Sequence, residues 1–256
     1  MVIAIHRENI VIQIFDKINL QQSAIIYISP HLDDAILGAG ATLSAIAQLG
    51  SKITVLTVFA GEPIGISNDV QMRRQEDILA CQELGVVSKH LDFLDAIYRK
   101  DGRGKNIYPT LSSVIEAPAD EDELVREIGR ILAPSIEKEK IIAPAGRSRH
   151  VDHQILRKVC DEYLSPFAYY DDYPYFAGSA TKLVSFIPKL PRQAIKIQVN
   201  KQSLMFKAKA VDRYMSQLEF LFGSNANVHS AIMEYSNVVG GELHWVFRSQ
   251  KDNLYE

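Results

Sequence analysis

Residues 24–34 read Ala24-Ile-Ile-Tyr-Ile28-Ser-Pro-His31-Leu-Asp33-Asp34, and Ala35 to Leu49 follow with apolar residues at helical spacing, closed by Gly50. A short β-type run, a polar turn and an amphipathic helix ended by a glycine make one strand–turn–helix unit. The unit repeats along the chain. Ile53–Ala60, rich in Val, Ile and Thr, reads as a second strand, and Val70–Leu84, closed by Gly85, as a second helix. His90–Leu94 reads as a third short strand, and residues 99–120 as a loop with one turn of helix. Asp120–Lys138 is a strong helix, acidic at its start and lysine-bearing at its end. Lys140–Pro144 is a strand, Asp152–Leu164 a helix and Phe167–Tyr170 a strand. Ala194–Val199 alternates, Gln202–Phe222 reads as one helix, and Leu243–Phe247 as a closing strand. Alternating strands and helices predict a single α/β domain over residues 1–256: a Rossmann-like, mostly parallel sheet with helices on both faces and peripheral C-terminal elements after residue 171.

Composition narrows the class. Apolar residues make up 47% of the 256 and charged residues 23%, which excludes a disordered chain and supplies one large core. The net charge of −3 offers no basic excess for a phosphate backbone, so no nucleic-acid partner is expected. No stretch reaches the roughly 18 apolar residues of a membrane span. His6, Arg7 and Glu8 interrupt the first apolar run too early for a signal-peptide core. Cys81 and Cys160 are isolated, which excludes a disulfide framework and suits a reducing, cytoplasmic compartment. The sequence allows a homo-oligomer without specifying its order.

Four histidines, His6, His90, His229 and His244, stand alone and read as surface or hydrogen-bonded core groups. The other three lie in two polar clusters behind strands: Ser29–Asp34, and Arg147-Ser-Arg-His150-Val-Asp152-His153. In an open parallel sheet ligands bind outside the carboxyl ends of the strands, where both clusters fall. His31, Asp34 and one of His150 or His153 make a two-histidine, one-carboxylate set, which leaves a metal position open for water or substrate. Adjacent side chains diverge, so Asp33 does not share the ion with Asp34 and is placed to take a proton from a metal-bound water. The histidine that does not ligate can donate a hydrogen bond to a developing oxyanion, oriented by Asp152. An Asp after a strand also serves as a helix cap, but two such clusters at strand ends favour chemistry. Gly38-Ala-Gly40 lacks the third glycine of a dinucleotide fingerprint and reads as close helix–sheet packing. Tyr169–Phe176 reads as an edge strand and turn packed by tyrosines.

The order Pro-His-x-Asp-Asp after the first strand, then His-x-Asp-His far downstream, resembles the PIG-L/LmbE-like deacetylases, in matching order from about Ala24 to Pro174. That resemblance implies removal of an acetyl group from an N-acetylglucosamine-type sugar in a small amino-sugar conjugate. It implies that His31, Asp34 and His153 bind a divalent metal, usually zinc. Asp33 would be the general base, and His150, with Asp152 as its partner, the oxyanion donor. Arg73, paired with Glu76 in an Arg-x-x-Glu, would bind sugar hydroxyls, and Asp95 would be a further substrate contact. Leu32 and Ala35 depart from the family pattern, which has Pro and an acidic residue there. Two other readings are a ferrous oxygenase, which shares the two-histidine, one-carboxylate triad, and a non-catalytic glycan-binding protein. The α/β alternation speaks against the first, and the presence of both Asp33 and His150 against the second.

Overall fold

The computed structural model describes residues 24–65, 69–136, 140–174, 192–224 and 227–247. His6, Lys138, Tyr175 and Phe176 lie outside these residues. The strands are β1 (Ala24–Ser29), β2 (Lys52–Thr57), β3 (Val87–His90), β4 (Lys140–Pro144), β5 (Ala168–Tyr170), β6 (Arg192–Ile197) and β7 (Glu242–Phe247). The helices are α1 (Asp34–Gln48), α2 (Asp69–Leu84), α3 (Asp122–Ser135), α4 (Val151–Val159), α5 (Lys201–Val211), α6 (Leu218–Phe222) and α7 (Val228–Val239).

Among the described residues, one seven-stranded sheet runs in the order β3-β2-β1-β4-β5-β7-β6. The first five strands are parallel, and β7 pairs antiparallel with both β5 and β6. From β1 in the middle the chain winds outward through β2 and β3, then continues at β4 on the other side of β1. The gap between β1 and β4 is therefore the switch point, where an open sheet leaves a crevice.

Strand alternation sends Ile25 and Tyr27 to one face and Ile26 and Ile28 to the other. The first face packs under α1, α2, α5 and α7; the second packs under α3 and α4. Helix α1 is enclosed almost all round, which is why Ala and Gly fill its middle. A Cβ on Gly38 would come within 2.3 Å of the Asp171 carbonyl oxygen, and one on Gly40 within 3.0 Å of Lys207. The first glycine lets α1 cross the end of β5, and the second lets α5 approach. Helix α5 brings a buried Lys207, whose Nζ is 2.7 Å from Glu242 Oε1. The C-terminal elements thus widen the sheet to one edge and also cover the central helix.

Four sequence expectations are corrected. The third strand is Val87–His90, ahead of the expected His90–Leu94, because its partner β2 ends at Thr57, opposite His90. The expected helix Gln202–Phe222 breaks after Val211. There the Tyr214 hydroxyl donates to Asp77 (2.8 Å), and Ser216 donates to Glu76 through N–H (2.9 Å) and hydroxyl (2.6 Å). Tertiary bonds to α2 override a helical pattern. The expected helix Asp152–Leu164 is α-helical only to Val159 and goes on as a π-turn, Cys160–Leu164. Strand β5 is interior, between β4 and β7, and not an edge. Its tyrosines are core groups: Tyr169 and Tyr170 point to opposite faces, and their hydroxyls donate to Asp161 (2.5 Å) and to the Ile28 carbonyl (2.9 Å).

Candidate metal centre

At the end of β1 the chain turns at once. The Ser29 hydroxyl donates to the His31 carbonyl (2.8 Å) and accepts from the Ala35 N–H (3.1 Å), while the Asp33 N–H donates to the same carbonyl (2.9 Å). Neither aspartate caps α1 through its side chain. Instead Asp34 Oδ2 accepts the His31 N–H at 2.9 Å and lies 3.1 Å from His31 Nδ1 and 3.1 Å from His153 Nε2. Asp33 points elsewhere, with its Oδ2 3.9 Å from an Arg73 guanidinium nitrogen.

Beyond β4, Gly146 (φ 69°) and Arg149 (φ 62°) bend the chain in the left-handed region and deliver His150 to the start of α4. His150 Nδ1 accepts the Asp152 N–H at 3.2 Å and caps the helix. In the neutral ring that contact leaves the proton on Nε2. The three imidazoles converge, with centroids 4.8 Å apart for His31–His150, 5.4 Å for His31–His153 and 5.6 Å for His150–His153. Asp34 and His153 are almost fully buried, whereas the side chains of His150, Arg73 and Asp95 retain 21%, 20% and 15% exposure. These last three mark the open side of the site.

Asp152 meets His150 Nδ1 through its backbone N–H, while its carboxylate makes its shorter contacts elsewhere. Its Oδ2 bonds His31 Nε2 (3.0 Å) and the Ala96 N–H (2.9 Å), and its Oδ1 accepts from Arg99 (2.5 Å). His150 Nδ1 is 4.0 Å from that carboxylate. Side chains two residues apart on a helix do not face each other, so Asp152 reaches across to β1 instead. Asp95 lies beside it, its Oδ2 3.6 Å from His31 Nε2 and its Oδ1 accepting from the Ile97 N–H (3.2 Å). Glu76 is not with Arg73 at the site, because it holds Ser216.

Three sets of contacts involve residues that the sequence reading did not assign to the site. Asp172 Oδ2 is 3.4 Å from His153 Nδ1 and accepts the Ser148 N–H at 2.7 Å. Arg99 bridges Asp152 and Glu121 (Nε–Oε1, 2.7 Å). Arg147, over the Trp245 ring at 4.9 Å, lies 3.3 Å from Asp171. A signal for Asp172 did exist: two acids directly behind a strand, on the same sheet edge as both histidine clusters. Arg99, inside a polar loop, carried none.

The electrostatics follow from crowding buried carboxylates around imidazoles. Burial disfavours protonated His153, but Asp34 and Asp172 outweigh it and lift the ring to about 10. His31 is likewise held well above its ordinary value, with Asp95, Asp152 and Asp34 overcoming burial. His150 goes the other way, pushed down to about 3 by burial and by its two neighbouring imidazoles. Burial and the charge of Asp34 raise Asp33 to about 7 against the pull of Arg73 and His31. Asp34 stays well below the usual carboxylate range because His153 and His31 outweigh its burial.

The donor set fits a divalent cation. His31, His150 and His153 each offer a ring nitrogen, all within 4.8 Å of one another. Ligands on a tetrahedral zinc, each about 2.0–2.1 Å from the ion, stand roughly 3.3 Å apart. The two 3.1 Å separations at Asp34 Oδ2 are of that size. Asp34 Oδ1 is buried with no hydrogen-bond partner among the described residues, so this carboxylate keeps unused acceptor capacity and negative charge that a cation beside it would offset. A cation would also take the place of the protons that the carboxylates hold on His31 and His153.

Comparisons with known proteins set the chain beside deacetylases. A 2'-N-acetylparomamine deacetylase from Niallia circulans is 30% identical over 270 residues, covering 89% of this chain and 92% of that protein. The zinc-inhibited form of teicoplanin deacetylase Orf2 superposes with a TM-score of 0.77 at 28% identity, covering 89% of this chain and 99% of that one. The A40926 pseudoaglycone deacetylase Dbv21 superposes with a TM-score of 0.71 at 26% identity, covering 90% and 100%. The PIG-L family profile, described as GlcNAc-PI de-N-acetylase, matches residues 26–164, the span that carries β1 through α4 and both histidine clusters. The chain belongs to the PIG-L family.

Proposed function

We propose that this protein is a zinc-dependent N-deacetylase that hydrolyses the acetamide of a small amino-sugar conjugate to acetate and a free amine. The observation that carries the reading is a buried carboxyl, Asp33, that stands beside the metal donor set without belonging to it. His31 Nδ1, Asp34 Oδ2 and His153 Nε2 would hold the ion, which when bound supplies a Lewis acid and a more acidic water. Asp33, raised to about 7, is matched to accept a proton near neutral pH as water attacks the carbonyl carbon. It then returns that proton to the departing amine nitrogen. His150 stays neutral and presents Nε2–H, a hydrogen-bond donor for the carbonyl oxygen as negative charge builds there. Arg73, partly exposed at the open side, has a planar fork suited to paired sugar hydroxyls, and Asp95 accepts from a further hydroxyl. The acetylparomamine relative supports an amino-sugar substrate. Both cysteines are buried and unpaired, which supports a reducing, cytoplasmic setting, and among the described residues no helix is long and apolar enough to cross a membrane.

The test is acetate release from a panel of N-acetylated amino sugars and their conjugates, with zinc-loaded protein and its Asp33→Asn variant. Acetate and a stoichiometric free amine from the wild type, and almost none from the variant, are expected. Equal release by both would contradict the role of Asp33, and no release from any substrate by the zinc-loaded wild type would contradict the reaction class.

A further inference from the structure

The family match ends at residue 164, yet the centre receives a buried carboxylate from beyond it. Asp172 follows β5, is 1% exposed, and lies on the far side of His153 from Asp34. Nε2 of that ring faces Asp34 Oδ2 at 3.1 Å, and Nδ1 faces Asp172 Oδ2 at 3.4 Å. We infer that Asp172 is the positioning residue for His153: it accepts the Nδ1 proton, fixes the tautomer that leaves the Nε2 lone pair toward the metal position, and raises the ring's basicity. This inference rests on the proposed assignment of His153 as a ligand.

Three observations carry it. The first is geometry: a neutral imidazole ligates through one nitrogen only if the other bears the proton, and Asp172 Oδ2 is the carboxylate oxygen placed 3.4 Å from that second nitrogen. The second is how firmly the carboxylate is placed. The Ser148 N–H donates to the same Oδ2 at 2.7 Å, so the loop that delivers His150 also fixes Asp172. Gly38 leaves no space above the Asp171 carbonyl, so α1 clamps the backbone just before it. The third is parallelism. Asp152 stands on the remote nitrogen of His31 at 3.0 Å as Asp172 stands on that of His153. Each histidine facing Asp34 therefore has a carboxylate behind it, and His150 has a backbone N–H in the same place.

The contribution is read as zinc affinity, measured on metal-stripped protein by competition with a chromophoric chelator. Asp172→Asn keeps the size of the side chain and an acceptor for Ser148, so the fold should be kept, as checked by circular dichroism. Zinc affinity should fall roughly 10- to 100-fold, the usual effect of losing such a partner. Asp172→Glu should recover part of it, and Asp171→Asn, whose carboxylate faces Arg147 and Tyr235, should stay within about threefold of wild type. The discriminating measurement is the double change. In a His153→Ala background, Asp172→Asn should lower zinc affinity no further, because Asp172 acts only through that ring. Wild-type affinity in Asp172→Asn, or the same loss with and without His153, would overturn the inference while leaving His153 as a ligand. A wild type that binds no zinc would overturn the ligand assignment itself, and the inference with it.

Discussion

His153 and His244 are both almost wholly buried, at 1% and 2% exposure, and sit in opposite surroundings. His153 lies between two carboxylates and is lifted to about 10; His244, on β7, packs edge-on to the Tyr27 ring at 6.4 Å, and burial pushes it down to about 4 despite Glu242. Burial disfavours the charged ring in both. Two acids aimed at the nitrogens reverse the outcome in one, and a centre built that way attracts a cation where the other stays an apolar core group. The same logic separates the two aspartates of the turn, since Asp34 faces imidazoles and stays ionised, while Asp33, turned toward Arg73, gains proton affinity from its burial and from the nearby charge of Asp34.

The largest effect that tests this contrast is catalytic. Asp33→Asn should bind metal normally and lower turnover by roughly 10²–10⁴. The acidic limb of the wild-type pH–rate profile should shift or vanish in the variant. Turnover within a few-fold of wild type would leave Asp33 as a turn residue.

The second test is made at His244. Its folded value of about 4 lies below the ordinary 6.5, so the unfolded chain takes up the proton first. Stability from keeping this ring neutral is present in full above pH 6.5 and is lost as pH falls toward 4, roughly 3 kcal/mol in all. His244→Gln should therefore flatten the fall in stability between pH 7.5 and pH 5, measured by denaturant titration of both proteins. Parallel pH dependences would show that the ring is not held neutral.

Smaller effects probe the packing and the mouth. Gly38→Ala would press a methyl group against the Asp171 carbonyl and should cost about 1–3 kcal/mol in denaturant unfolding. Arg73→Lys keeps the charge and loses the fork, so kcat/KM should fall roughly tenfold, mainly through KM. An unchanged KM would return Arg73 to a surface charge facing Asp33.

Much of this was legible in the chain. The strands β1, β2 and β4 and the helix α1 are written in local period and closing glycines, so their positions follow from sequence. Both histidine clusters are visible because a parallel sheet puts strand ends on one edge. What failed was set by tertiary contacts. The break after Val211 depends on Tyr214 and Ser216 finding acids on α2, which no local pattern contains. The reach of the Asp152 carboxylate to His31, 121 residues away, was not legible, because nearness in sequence shows only its neighbour His150. Asp172 and Arg99 become site neighbours only once β5 and the loop after β3 are folded against the switch point. The missed helix α7 follows Asn227, whose side chain caps it by accepting the Ser230 N–H at 2.9 Å.

The most direct test of the central claim is zinc stoichiometry, by plasma emission, in His153→Ala and His150→Ala purified side by side. Both rings are within 4.8 Å of His31's donor atom, but only His153 meets Asp34 Oδ2, while His150 Nδ1 is committed to the Asp152 N–H. The account predicts that His153→Ala purifies with little zinc, because two remaining ligands make a weak site that fills only at higher zinc concentration, and that His150→Ala retains about one zinc per chain while losing most of its turnover. Equal metal in the two variants, or loss of zinc in His150→Ala alone, would contradict it.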